Sequence, residues 1–167
     1  GYYSGRMYIR GPIAQAIGEK YFTLLELVPF EGIKLSVGER VSVGKSEISL
    51  KIQRISRRLR YDDLTSKAKD ELPKIIEKIV IAREKDFVDF FNKAPPLTPK
   101  MHSLELLRGI GKKTLWTILE ERRKKPFESF EDIQKRTRIS DPVKLIVTRV
   151  LEELQDQYGK YKIFTKP

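Results

Sequence analysis

The segment Leu106-Leu-Arg-Gly-Ile-Gly-Lys-Lys-Thr-Leu-Trp-Thr-Ile-Leu-Glu120 constrains this chain more than any other stretch. Its spacing predicts a helix that stops at a Gly-hydrophobic-Gly turn and restarts at once as a second helix. Gly109 stands where a helix C-terminus wants a residue able to take positive φ, and Gly111 where a side chain would keep a ligand off the backbone. Ile110, between them, can bury itself. The first N–H groups of the restarted helix have no carbonyl partners and carry the positive end of its dipole, so the turn suits a phosphate. Lys112 and Lys113 occupy the first turn, where the dipole favours acids, and a helix built for stability alone would not place them there. The candidate contacts to a nucleic-acid backbone are therefore Arg108, Gly109, Ile110, Gly111, Lys112, Lys113 and Thr114.

The charge balance agrees. The chain has 34 Lys+Arg against 23 Asp+Glu, a formal net charge of +11, which makes polyanions its default partners. The charge is also clustered. Leu107 to Lys125 holds seven basic residues and two acidic ones, a net of +5, and Lys51 to Arg60 holds five basic residues (Lys51, Arg54, Arg57, Arg58, Arg60) and no acid. Two such stretches imply two contact surfaces or one continuous groove. The opposing reading pairs the second set with Glu26, Glu39 or Glu47 across a sheet surface.

The order hydrophobic-x-x-Gly-Ile-Gly followed by Thr114, Leu115, Ile118 and Leu119 resembles the helix-hairpin-helix motif of DNA repair, recombination and replication proteins, which hold phosphate without reading sequence. Lys125-Pro-Phe-Glu-Ser-Phe-Glu-Asp-Ile133 is similar to the connector of tandem hairpins in bacterial competence and excision-repair proteins. Thr137-Arg-Ile-Ser-Asp-Pro-Val-Lys-Leu145 then stands in the place of a second hairpin. There Ser140 and Asp141 replace the glycine-bearing turn; Asp141 with Pro142 makes a good helix start whose own carboxylate would repel phosphate. The second unit reads as support for the first. The hairpin resemblance also implies a monovalent cation held by the backbone carbonyls of Glu105, Leu107 and Ile110.

Residues 20 to 61 carry β signals. Lys20 to Pro29 is a β-prone run apolar on both faces, Val41 and Val43 alternate, and Ile48, Leu50 and Ile52 alternate before the beat slips to Ile55, as a β-bulge would make it. Short curved strands with Val-Gly turns look like a small OB or S1-like barrel, partial or completed by Tyr8 and Ile9 of the amino-terminal arm. Tyr2, Tyr3 and Tyr8 with Arg6 and Arg10 make either an aromatic-basic arm or a strand-forming terminus. Between the β region and the hairpins, Pro73 predicts the first turn of a helix carrying Ile75, Ile76, Ile79, Phe87, Phe90 and Phe91 to Lys93, with these side chains in a core. Ala94-Pro-Pro-Leu-Thr-Pro99 reads as a stiff linker whose Thr98 and Pro99 fit the start of the next helix.

The expected architecture is α+β: an OB-like β domain with its arm at 1–63, a helical connector at 64–97 and a helix-hairpin-helix domain with a degenerate second hairpin at 98–167. With that order the chain resembles, over nearly its full length and from Arg10-Gly-Pro-Ile-Ala-Gln-Ala-Ile-Gly-Glu-Lys-Tyr-Phe-Thr-Leu-Leu-Glu26 onward, an archaeal family of unknown function described as predicted OB-fold nucleic-acid-binding proteins. Gene neighbours in that family concern translation and ribosomal-RNA modification, which implies RNA as partner. A more distant resemblance, to the bacterial Holliday-junction branch-migration protein, points to DNA.

Other classes fit less well. No apolar run approaches the length needed to cross a bilayer and no secretory signal is visible, so a cytoplasmic protein with no membrane partner is expected. Zero cysteines excludes disulfides and thiolate metal sites, and His102 is the single histidine, read as a surface or capping residue. Nothing resembles a nucleophile–base pair, a P-loop or a dinucleotide fingerprint, so no enzyme and no cofactor is expected. Asp62, Asp63, Glu84, Asp86 and Asp89 could gather magnesium for a structure-selective nuclease, although solvated faces explain them better. Trp116, at the edge of the apolar stripe, could stack on a base, and packing against the neighbouring domain is the favoured alternative. The remaining alternatives are a DNA repair or recombination accessory subunit and a protein-assembly module.

Overall fold

Leu24 and Leu27 anchor the middle strand of a small antiparallel sheet in the computed structural model, which describes residues 2–4, 7–9, 12–43, 50–156 and 158–166, with side chains from residue 12 onward. The chain is a mixed α+β protein with five α-helices and three small sheets among these residues. It divides into two compact units, one of residues 1–71 with Lys166 and the other of residues 72–165. No described helix is long and apolar enough to cross a membrane.

In the first unit, strands β1 (Tyr2–Ser4) and β2 (Met7–Ile9) pair only with each other. Strands β3 (Ala14–Ile17), β4 (Leu24–Pro29) and β5 (Ile52–Arg58) form a meander in that order. The β3–β4 turn is closed by Phe22 N–H donating to the Gly18 carbonyl at 3.0 Å, with Phe22 at φ 57°. A bulky residue seldom takes that conformation, and complete burial of the ring offsets its cost. The register on β5 slips twice: Arg57 faces Glu26 but Ile55 faces Leu27, and Arg54 faces Val28 but Ile52 faces Pro29. The slip of the apolar beat at Ile55 is thus a real irregularity of pairing, which strengthens local twist.

The barrel expected from the sequence is not formed, since no sheet among the described residues closes on itself. Val41 and Val43 lie in no strand, and Tyr8 and Ile9 complete only the β1–β2 hairpin. Ile48 lies outside the described residues, as do Arg6, Arg10 and Glu47. Alternation alone specifies a strand-like stretch but not its partner, and three strands cannot wrap round a core.

Helix α1 (Ser66–Ala82) begins well before Pro73, because Thr65 caps it through its hydroxyl to the Ala68 N–H at 3.1 Å. Pro73 is therefore interior rather than in the first turn, and it withholds one rung of the ladder. The expected single helix to Lys93 breaks at Arg83, whose backbone leaves helical geometry at φ −107°, ψ 34°, before α2 (Glu84–Lys93). The aromatic residues do form a core: Phe87 and Phe90 meet Phe164 edge-on at 5.5 and 5.0 Å between ring centres. Pro96–Thr98 (β6) and Met101–His102 (β7) form a two-stranded hairpin in place of the expected linker and helix start. Thr98 spends its hydroxyl on the Lys100 N–H at 3.2 Å, a local turn bond that competes with helix capping. Helices α3 (Lys112–Lys124), α4 (Phe130–Arg136) and α5 (Pro142–Gln155) complete the unit.

Candidate nucleic-acid interface

The hairpin rests on a single 3₁₀ turn, Ser103–Leu106, rather than on the helix expected before Gly109. His102 and Glu105 close that turn reciprocally. The Leu104 N–H donates to His102 Nδ1 at 3.1 Å and the His102 N–H to Glu105 Oε1 at 3.0 Å. Two side chains that bond the backbone at this spacing favour a tight turn over a longer helix. His102 is a cap, as one reading of the sequence had it, but it is buried at 8% exposure rather than on the surface. Burial, reinforced by the Arg122 charge, holds its imidazole below the ordinary histidine range, so the neutral form that can accept from Leu104 is favoured.

Leu104, Leu107 and Ile110 are buried and pin the turn from inside, with the Ile110 N–H donating to the Leu107 carbonyl at 3.1 Å. Gly109 has φ 102°, the left-handed geometry its place required, and the direction its side chain would take leads to Leu145 Cδ2 at 3.7 Å. Gly111 is different. Its φ of −92° is open to any residue, and beyond its chain neighbours and the backbone of its own helix no heavy atom of the described residues lies within 4 Å of where its Cβ would be. What sets Gly111 apart is open space in front of the backbone.

Gly111 is the N-cap of α3, and no side chain caps that helix. The helices that follow are capped by their own residues: Ser129 Oγ accepts from Asp132 N–H at 3.0 Å, and Asp141 Oδ1 from Lys144 N–H at 3.1 Å. The first turn of α3 also lacks an acid and holds Lys112, Lys113 and the half-buried Thr114. Its free N–H groups therefore face outward beside two cations. Asp141 occupies the corresponding position on α5 and accepts the Lys144 N–H there.

The basic cluster around the hairpin is largely self-neutralised. Lys112 Nζ lies 2.9 Å from Glu105, Arg108 reaches Glu152 at 3.0 Å, and Arg123, Lys124 and Lys125 pair with Glu120, Glu121 and Glu128. Arg122 donates to the carbonyls of Phe91 and Ala94 and serves the fold. Among the described residues, Lys113 is the one cation of these seven without such a partner. Glu105 is held below the usual carboxylate range first by the His102 N–H and then by Lys112. The Lys112 and Arg108 side chains are mostly exposed, so either cation can reach a phosphate while its carboxylate stays on the fold.

Trp116 stands 65% exposed on α3. The buried stripe of that helix runs through Leu115 and Ile118, and Trp116 lies outside it.

The basic strand fares differently from the hairpin. Glu26, the fully buried centre of a cross-strand row, faces Gln15 on one side and Arg57 on the other. Arg57 Nε lies 3.5 Å from Glu26, and its Nη1 lies 3.6 Å from Asp63. Gln15 holds the same segment through the Asp63 carbonyl and the Thr65 N–H. Lys51 pairs with Glu39, and Arg58 donates to the Lys166 carbonyl at 2.7 Å. Arg54 and Arg60 carry exposed side chains. Arg57 makes the pairing with Glu26 that the opposing reading gives it. Arg57→Ala should therefore leave the salt dependence of any nucleic-acid binding unchanged. It should instead destabilise the first unit by about 1 to 3 kcal/mol, because the buried Glu26 carboxyl would lose its partner. Urea unfolding and a salt titration of the same variant check both halves.

The acidic residues considered for magnesium do not converge. No three Asp, Glu or His side chains among the described residues come together in a way that could hold a metal ion. Asp63 accepts the Arg60 N–H, Glu84 the Phe130 N–H at 2.9 Å, and Asp86 and Asp89 pair with Arg83 and Lys93. Unforeseen from the sequence was a cleft of about 490 Å³ beside Arg108, lined also by Arg149, Glu152, Glu153, Asp156 and Lys162. Three cations and three carboxylates line it, and no motif announces it.

Comparison with known proteins gives the chain its family. The uncharacterized protein MJ0038 of Methanocaldococcus jannaschii is 42% identical over 156 residues, 93% of this chain and 71% of that protein. The crystal structure of Af1531 from Archaeoglobus fulgidus, described as a DUF655 family member, superposes with a TM-score of 0.87 at 48% identity, covering 99% of this chain and 93% of that one. A family model described as "Protein of unknown function (DUF655)" matches residues 1–166, and the chain belongs to that family.

Proposed function

We propose that this protein binds nucleic acid through backbone phosphate, without reading sequence and without catalysing a reaction, and that its second unit uses a helix-hairpin-helix-like turn for the purpose. The observation that carries this reading is the amino end of α3, uncapped behind Gly111, with open space before it and Lys113 unpaired beside it. Such an end offers backbone donors and a positive dipole to an anion, and a phosphodiester fits the chain's net charge of +11. RNA is favoured over DNA because the family resemblance points to translation. Arg108, Lys112 and Thr114 flank the turn and extend the contact, whereas Arg57 is assigned to the fold.

Fluorescence anisotropy of the full chain with two unrelated oligonucleotides of equal length tests the proposal. Affinity should be the same for both, and log affinity should fall linearly with log salt, with roughly 0.7 to 0.9 of slope for each phosphate neutralised. Absence of binding at low salt would overturn the reading. Turnover of either oligonucleotide with magnesium present would favour a nuclease instead.

A further inference from the structure

The indole of Trp116 is the largest apolar group that α3 leaves in water, at 65% exposure. Aromatic side chains dominate the energetics of cores and interfaces when buried, so an uncovered indole on a well-packed helix is a group without its partner. Its neighbours suggest which partner. Lys112 and Lys113 lie four and three residues before it, one turn away on the same face, where Cβ atoms are about 5 to 6 Å apart. Helical side chains lean toward the amino end of their helix, so the indole is carried over the turn that holds these two lysines. One turn on in the other direction the same stripe carries Glu120, which is paired with the 80% exposed Arg123, so the uncompensated positive charge lies on the amino side of the indole.

We infer that Trp116 is a stacking platform for an unpaired base, and that Lys113 neutralises the phosphate next to it. A flat, uncharged π surface flanked by cations fits a single-stranded or looped nucleic acid. A paired duplex keeps its base faces stacked and hidden, and can offer only phosphate to the same helix. The inference rests on the nucleic-acid reading given above and narrows it: the substrate presents at least one unstacked base. Ribose and deoxyribose strands share this chemistry and are separated only by the test.

Trp116 is the single tryptophan of the chain, so its emission reports this position alone when tyrosine is not excited. The full chain is titrated with unstructured single-stranded RNA, single-stranded DNA of matching sequence, and a duplex of equal length, with anisotropy of labelled strands recorded in parallel. Both single strands should quench the indole strongly as they bind, and the duplex should not. Trp116→Ala should weaken single-strand affinity about tenfold with little change for duplex, and Trp116→Phe should keep most of the affinity. Lys113→Ala should lower the single-strand salt slope by roughly 0.7. Binding seen by anisotropy with no quenching, and with Trp116→Ala unaltered, would overturn stacking while leaving the phosphate site intact. No anisotropy change with any strand would remove the nucleic-acid reading itself. A blue shift that grows with protein concentration in the absence of nucleic acid would assign the indole to a second copy of the chain and overturn the inference.

Discussion

Glu153→Ala is expected to produce the largest loss of stability of any single change in the second unit. Glu153 is 4% exposed, yet it is a charged residue in the middle of α5. Its Oε1 accepts the N–H groups of Phe164 and Thr165 and the Thr165 hydroxyl, at 2.9 to 3.1 Å, and its Oε2 accepts the Ile163 N–H and Arg149 Nε. One carboxylate thus closes the carboxy-terminal tail onto the helix and sets Phe164 against Phe87 and Phe90. Removing it leaves three backbone donors and a largely buried guanidinium short of an acceptor, at a cost of about 3 to 5 kcal/mol. For a unit of this size the melting temperature should fall by upward of about 12 °C. Glu153→Gln keeps one oxygen acceptor and should fall less. Thermal melts followed by circular dichroism, with hydrogen exchange at Ile163 to Thr165, check the claim. An unshifted melt with protected amides would show that the tail is held by other contacts.

This hub also marks where the sequence is silent. A glutamate among Leu151, Glu152 and Leu154 has no local feature that separates it from the half-buried Glu152 beside it. Its role depends on a tail that returns from ten residues further along the chain, and such pairing leaves no periodic trace. Arg136 is a comparable case. It bridges Glu121 and Asp132 and lies 4.5 Å over the ring of Phe127. Features fixed by local chemistry were readable: the positive φ of Gly109, the N-cap of Asp141, the buried Ile110 and the pairing slip at Ile55. Each needs only a few neighbouring residues. The closed barrel was misread because alternation in Val41 and Val43 says nothing about which strand lies alongside. The helix before Gly109 was misread for a related reason, since the caps from His102 and Glu105 shorten it to one turn. Trp116 stands exposed because the buried stripe of α3 runs through Leu115 and Ile118 instead.

A single substitution at Gly111 should move stability and binding in opposite directions, and that opposition is what a site for phosphate requires. The open space at its Cβ and its φ of −92° allow a side chain there without strain. Gly111→Asp would supply to α3 what Asp141 supplies to α5, a carboxylate that accepts the first free N–H groups and complements the dipole. As an N-cap, aspartate exceeds glycine by a few tenths of a kcal/mol, so the melting temperature should hold or rise slightly. Binding should collapse, because the same N–H groups would be occupied and a like charge would face the phosphate. Loss of one or two charge-assisted hydrogen bonds, at about 1.5 to 3 kcal/mol each, corresponds to at least a tenfold fall in affinity, equal for unrelated sequences. Gly111→Val adds bulk without an acceptor. It should weaken binding too, but with a loss of about 1 kcal/mol in stability, since valine is a poor cap. If the turn were only a structural corner, aspartate would leave affinity where it was while the helix gained its cap. Paired measurements of melting and anisotropy on the two variants separate these outcomes, and unchanged affinity in a folded Gly111→Asp protein would remove the amino end of α3 as the site.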